Sequence, residues 1–221
     1  MKIQIYAHKT PEDAAMSAAA GVNFIGVSTG ERQRLSAEVD FATCCAIFAT
    51  LPPEAMKVAL TVAWELDEII ETVQAVQPDV IHLSGDIADL PTARVAELRQ
   101  AIPLTKIMQA IPVGGPESVA LALEYAPFSD YIILDTDRSG YTGVGATGAT
   151  HDWSISAEIV RRVNIPIILA GGLKPANVAD SIRAVRPWAV DSFTHTNVPG
   201  SKRKDPAKVK AFVEAARLIS P

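Results

Sequence analysis

Eight short apolar runs recur along the chain, and a helix-length segment separates each from the next. The runs are Ile3–Ala7, Phe24–Ser28, Val58–Ala63, Val80–Leu83, Lys106–Ala110, Tyr131–Asp135, Ile167–Ala170 and Ala189–Phe193. They are rich in β-branched residues and lack strict polar alternation, the pattern of strands buried on both faces. The intervening segments carry helix-entry signals. Thr10-Pro11-Glu12-Asp13 offers an N-cap, a proline for the first turn and early acids. The signature recurs at Pro116-Glu117-Ser118, Lys174-Pro175-Ala176 and Asp205-Pro206-Ala207, and Glu68–Val76 and Ala93–Ile102 space apolar residues by three and four. Eight strands alternating with eight helices in 221 residues predict an α/β fold, a single (β/α)8 barrel over residues 1–221. The alternative is an open doubly wound sheet. The even strand count and the absence of Gly-x-Gly-x-x-Gly after the first strand favour the barrel.

A hydrophobic fraction of 48% is enough to fill such a core, and the net charge of -5 argues against general nucleic-acid or anionic-membrane binding. Lys202-Arg203-Lys204-Asp205 is a local exception, read either as a solvated loop or as a phosphate-facing one. Cys44 and Cys45 are adjacent in an apolar helical stretch, which suits neither a disulfide nor a metal site; two free thiols fit a reducing cytoplasm. The N-terminal apolar run is too short for a signal peptide, and no run is long enough to span a membrane.

In a barrel the loops after the strands form the reactive face. That rule gathers Tyr6 and His8, Arg32 and Arg34, His82 and Ser84, Gln109, Asp135, Gly171 and Gly172, Thr194 and His195. Asp135 closes an apolar run, and ten residues on begins the Gly-rich stretch Gly145-Ala146-Thr147-Gly148-Ala149-Thr150-His151-Asp152-Trp153. Backbone N–H groups of such a stretch can approach an anionic oxygen closely. Ala170-Gly171-Gly172-Leu173 precedes a further helix, whose N-terminal dipole would also favour an anion.

With these residues in view, the chain resembles the phosphoribosylanthranilate isomerase family over nearly its whole length. The family's G-G-T-G-x-T-F-D-W is similar to residues 145–153, its L-D-T to Leu134-Asp135-Thr136, and its A-G-G-L-x-P-x-N-V to Ala170 through Val178. Its E-D-A resembles Glu12-Asp13-Ala14, and its G-x-K-D-P is echoed between Gly200 and Pro206 with two extra residues. The resemblance implies an Amadori rearrangement of a small phosphorylated aldose amine to a ketose amine, with no metal or cofactor, in a cytoplasmic monomer or homodimer. An acid opens the ribose ring to a Schiff base, and a base then removes the C2′ proton. The family's acid falls on Asp135, and its phosphate contacts on Gly145, Thr147, Gly148, Gly171, Gly172, Thr194 and His195.

The departures concern the base and the far end of the substrate. Where the family has K-I-C-G, with Cys as base, this chain has Gln4-Ile5-Tyr6-Ala7. A phenol with a pKa near ~10 is a poor base at neutral pH, so His8 stands beside Tyr6 as a candidate. The family's Q-L-H-G appears as His82-Leu83-Ser84-Gly85, which leaves His82 either a substrate contact or a satisfied interior imidazole. The Arg of its S-P-R is displaced to Arg32 or Arg34, and Gln109 completes the expected substrate contacts. At strand 8 His195 replaces a glycine of the family pattern, and Asp191 keeps its place and reads as structural. Three functions therefore stay open: the family's own isomerisation, a diverged reaction on another phosphorylated sugar or cyclic metabolite, and noncatalytic sugar-phosphate binding.

Overall fold

The computed structural model describes residues 1–136 and 150–219. Eight parallel strands close into a barrel in chain order. They are β1 Lys2–Ile5, β2 Phe24–Ser28, β3 Met56–Thr61, β4 Val80–Leu83, β5 Lys106–Val113, β6 Tyr131–Thr136, β7 Ile167–Leu169 and β8 Ala189–Ser192. Closure is made by β1 on β8, with Ile3 opposite Val190 and Gln4 opposite Asp191. The helices α1 Pro11–Ala19, α2 Phe41–Ala49, α3 Leu66–Val76, α4 Thr92–Ala101, α5 Glu117–Tyr125, α6 Trp153–Arg162, α7 Val178–Val185 and α8 Pro206–Arg217 alternate with the strands. The barrel expectation holds. The strand ends shift slightly: β1 stops at Ile5 instead of Ala7, and β5 runs on to Val113 because Ile111, Pro112 and Val113 still pair with β6.

Successive strand residues face opposite sides of the sheet, so the barrel sorts its side chains by parity. One set fills the layer beneath the helices, including Ile3, Ile5, Ile25, Ile81, Ile107, Ile111, Leu134 and Val190. The other set fills the barrel, including Phe24, Val58, Val80, Met108, Ile133 and Ile168. Phe24, Tyr131 and Trp188 pack against one another at the N-terminal end, with ring centroids 5.5–5.8 Å apart. The lower barrel is thus plugged with aromatic rings, and space is left at the C-terminal mouth.

The entry signals act where the sequence puts them, with one exception. Thr10 accepts from the Asp13 N–H at 3.3 Å, and Asp205 accepts from Ala207 and Lys208 at the start of α8. After β7, however, Lys174-Pro175-Ala176 forms a turn, closed by Lys174 N–H donating to Asn177 Oδ1 at 2.8 Å, and α7 begins only at Val178. Helix dipoles act over about one turn, so α7 stands too far off to assist an anion at Gly171 directly.

In the basic segment after β8, Lys202 and Arg203 are exposed, Lys202 lines the cavity at the mouth, and Lys204 is buried. Arg203 makes a two-pronged contact with Asp13 of α1 at 2.7 and 2.9 Å, and the Lys204 backbone N–H donates to the same carboxylate at 3.0 Å. Lys204 is itself buried, donating from Nζ to the Tyr6 carbonyl and to Asn197 Oδ1. The segment is therefore a strap that ties α8 to the start of α1. Burial alone would raise the Asp13 pKa, but the Arg203 and Lys204 contacts hold it below the usual carboxylate range. A depressed folded pKa stabilises the fold above the unfolded pKa, and the contribution is lost as pH falls through the folded value. Asp13→Ala is expected to cost about 2 kcal/mol at pH 7, with half-exposed Arg203 screened by solvent. Urea unfolding at pH 7 and below pH 4 checks this: the gap to the wild type should narrow in acid, and a gap that stayed constant would contradict the charge argument.

Candidate active site

The mouth of the barrel holds a cavity of about 290 Å³, lined among others by Tyr6, Ser28, Leu60, His82, Ser84, Asp135, Asp191, Phe193 and Lys202. A smaller cleft adjoins it, lined by Asp135, Gly171, Gly172, Leu173, Asp191 and Ser192 through His195. Asp135 and Asp191 border both spaces. Each arrives by parity: Tyr6, His82, Ser84, Asp135 and Asp191 all lie on the inward set of their strands, one or two residues beyond the packed layer.

Asp135 sits at the end of β6, half-buried, with one carboxylate oxygen 2.7 Å from the Thr136 N–H. Asp191 lies deeper. Burial first, and then the charge of Asp135, push its pKa up to about 8, while Gln4 donates a hydrogen bond that partly offsets this. Two neighbouring carboxyls in a confined space do not both ionise at neutral pH, so the pair retains a proton there. Proton storage beside the cavity is what an acid catalyst needs. The sequence had marked Asp191 as structural; its place opposite Gln4 on the inward parity of β8 is the signal that brings it to the mouth.

Tyr6 crosses the barrel. Its hydroxyl lies 2.9 Å from His82 Nδ1, and the two rings are 5.4 Å apart. Burial, and then Asp191, push the Tyr6 pKa well above its ordinary value, so this phenol does not ionise to serve as a base near neutral pH. The ring lies directly against Gly26.

His8 is not at the mouth. Past Ile5 the chain leaves the strand, and His8 turns outward into the layer under α1, fully buried, with Nδ1 3.1 Å from the Gly26 carbonyl and Nε2 2.8 Å from Ser17 Oγ. Both nitrogens are engaged, and burial, with Lys204 adding to it, lowers its pKa to about 3. Gln109 is also displaced from its expected role. It shares the outward parity of Ile107 and Ile111, and its amide donates to the Ala110 carbonyl at 3.0 Å. Arg34 and Arg32 stand outside the cavity. Arg34 pairs with both oxygens of Glu68 at 2.5 and 2.9 Å and stacks 4.6 Å over Trp64, and Arg32 approaches the same carboxylate at 3.3 Å.

At the smaller cleft, Gly171 and Gly172 take φ values of +82° and +64° in succession, a path that side-chain-bearing residues rarely follow. A Cβ on Gly171 would come within 2.7 Å of Thr136 Oγ1 and 2.9 Å of His151 Nδ1. The bare backbone there is a built feature. Thr194 and His195 face the same cleft from the short 3-10 turn Thr194–Thr196. Gly145, Thr147 and Gly148 lie outside the described residues. Phe193 was not expected at the site, and Lys202 belongs to the segment that one of the two sequence readings turned toward it. Lys202 stands 5.2 Å over the Phe193 ring, brought there by the strap.

A closed barrel with a carboxyl pair and a two-glycine turn at its mouth defines a class: (β/α)8 barrels with their cavity at the C-terminal ends of the strands. The comparisons narrow the class. The family profile for N-(5'phosphoribosyl)anthranilate (PRA) isomerase matches residues 4–215, and the chain belongs to that family. It is similar to the N-(5'-phosphoribosyl)anthranilate isomerase of Methanocella arvoryzae, 32% identical over 218 residues, covering 98% of each chain. Its fold is similar to the crystal structure of phosphoribosyl anthranilate isomerase from Thermotoga maritima, with a TM-score of 0.83 and 27% identity over 99% of this chain and 100% of that one. A phosphoribosyl anthranilate isomerase complexed with reduced 1-(o-carboxyphenylamino)-1-deoxyribulose 5-phosphate superposes with a TM-score of 0.81 at 25% identity, covering 99% and 100%.

Proposed function

We propose that this chain catalyses the Amadori rearrangement of phosphoribosylanthranilate, with Asp135 as the acid and the Gly171–Gly172 turn, Thr194 and His195 as the phosphate contacts. One observation carries the reading. Asp135 stands between a cavity for the reacting end of a substrate and a cleft lined by unhindered glycine backbone. From that place a carboxyl can protonate the ribose ring oxygen while the phosphate is held a few bonds away. Ring opening leaves an iminium at C1′, and this cation acidifies the C2′ proton for the second step. Fixing the phosphate contributes by orientation, since a held substrate presents its ring oxygen to one carboxyl only. No described helix is long and apolar enough to cross a membrane. We place the protein in the cytoplasm, as a monomer or homodimer, where Cys44 and Cys45 remain free thiols.

The test is the loss of substrate fluorescence on adding purified protein to phosphoribosylanthranilate. Turnover is expected; none at high enzyme concentration with a folded protein would overturn the reading. Gly171→Ala gives a second check. An alanine at φ +82° costs about 1–2 kcal/mol, and its Cβ presses on Thr136 and His151. KM should rise roughly tenfold with little change in kcat. An unchanged KM would remove this turn from phosphate binding.

One observation favours a second reading. Arg32 and Arg34 are paired with Glu68 outside the cavity, so neither of them is in place for an anthranilate carboxylate. A diverged substrate, another phosphorylated sugar amine or cyclic metabolite, would suit that arrangement, and a thermal-shift screen of phosphorylated metabolites would find it.

A further inference from the structure

We infer that His82 is the proton acceptor of this site and that Tyr6 is the residue that positions it. The inference rests on the isomerase reading above and supplies the base which that reading lacks.

His82 lies on the inward face of β4 between Val80 and Ser84, and it lines the same cavity as Asp135. Nδ1 is occupied by the Tyr6 hydroxyl at 2.9 Å. Nε2 is buried and has no hydrogen-bond partner among the described residues. The Nδ1–Oη contact fits the tautomer in which Nδ1–H donates to Tyr6 Oη, and in that tautomer Nε2 carries the lone pair. Tyr6 does for His82 what a hydrogen-bonding orienter does for any catalytic imidazole, fixing its rotation.

Four other groups in or near the cavity are engaged or held protonated. The Tyr6 phenol is held in its protonated form, and Asp191 is a carboxylic acid at neutral pH. Lys204 Nζ is turned to the Tyr6 carbonyl and Asn197. Cys44 is buried in α2, and burial pushes its thiol up to about 12. Burial lowers His82 to about 3, so the ring stays uncharged and its lone pair available across the physiological range. A low pKa also makes a weak base. Two features of the reaction offset this: the carbon acid is activated by an adjacent iminium, and Asp135, having given up its proton, faces the same cavity as a carboxylate.

The step balances without any other reagent. The C2′–H bond breaks, its electron pair forms the C1′=C2′ bond and neutralises the iminium nitrogen, and the proton goes to His82 Nε2. In the return step that proton passes to C1′. The C2′ hydroxyl loses its own proton to Asp135 as the ketone forms, and both groups are restored.

The experiment compares kcat and KM for the wild type, His82→Gln, Tyr6→Phe and the double variant Tyr6→Cys/His82→Gln. Affinity for reduced 1-(o-carboxyphenylamino)-1-deoxyribulose 5-phosphate is measured in parallel by calorimetry. His82→Gln should lower kcat by about 10²-fold or more and leave analogue affinity within about threefold. Tyr6→Phe should lower kcat roughly tenfold at unchanged KM, the mark of a positioning role. A thiol placed at residue 6 in the His82→Gln background should recover at least about tenfold in kcat, which a structural defect would not allow. His82→Gln with kcat within about threefold of wild type would overturn the inference, as would a parallel loss of analogue binding. A wild type that binds the analogue but does not turn over would instead overturn the isomerase reading itself.

Discussion

Asp135→Asn is expected to lower kcat by about 10²–10⁴-fold while KM changes little. The amide keeps the shape of the carboxyl and can still accept from the Thr136 N–H, now 2.7 Å from Asp135 Oδ1, so the end of β6 has no reason to move. What it loses is a carboxyl able to pass on the proton that the pair with Asp191 retains. Binding should survive because the phosphate contacts proposed above lie on other elements, the turn after β7 and the segment after β8. Stability should hold or rise, since the charge of Asp135 is one of the two causes that raise Asp191 to about 8, and a neutral neighbour removes it. Steady-state kinetics with a thermal melt on the same preparation decides the matter. Retained turnover would take Asp135 out of the mechanism, and a loss of turnover accompanied by a fallen melting temperature would point to damage at β6.

The barrel was legible because its signal is periodic and repeated. Runs such as Val80–Leu83 and Ile167–Ala170 read as two-sided strands wherever they occur, and a slip of two residues at one end changes nothing in the topology. The place of Asp135 at the mouth was legible too, because it ends its run and brings its own flanking residues. The remaining site residues turned on parity at strand ends, where a shift of one residue exchanges cavity for helix layer. Gln109 was expected at the mouth and faces outward with Ile107 and Ile111, whereas Asp191 was set aside and faces inward. His8 required an extended backbone past Ile5, and β1 ends there. Arg32 and Arg34 were expected to meet substrate, but Glu68 of α3, thirty-four residues beyond Arg34, holds them. The pairing of Tyr6 with His82 spans seventy-six residues and has no local trace at all. Long-range partners chosen by the closed barrel are what a linear reading leaves out.

Gly26→Ala should show how far the barrel is built around Tyr6. Gly26 lies in mid-strand on β2 at the inward parity between Phe24 and Ser28, and its backbone needs no glycine, so the cost falls on packing. A Cβ there would overlap Cδ1 and Cε1 of the Tyr6 ring and come within 2.6 Å of Cγ. The ring cannot withdraw easily: Tyr6 is only 4% exposed, its carbonyl is held by Lys204, and its hydroxyl is held by His82. Overpacking of this kind costs about 1–3 kcal/mol, and here it should also break the 2.9 Å contact that orients His82. The variant should therefore lose stability and turnover together. The cause is separable from any general intolerance of β2 by a double-mutant cycle. Tyr6→Cys removes the ring, and in that background Gly26→Ala should be nearly neutral, giving a coupling energy of about 1–3 kcal/mol between the two positions. Equal penalties in both backgrounds, measured by urea unfolding, would mean that Gly26 serves the strand and not the tyrosine. A strong coupling would mean that residue 6 can become a small thiol without disturbing β2, the substitution on which the rescue of His82→Gln depends.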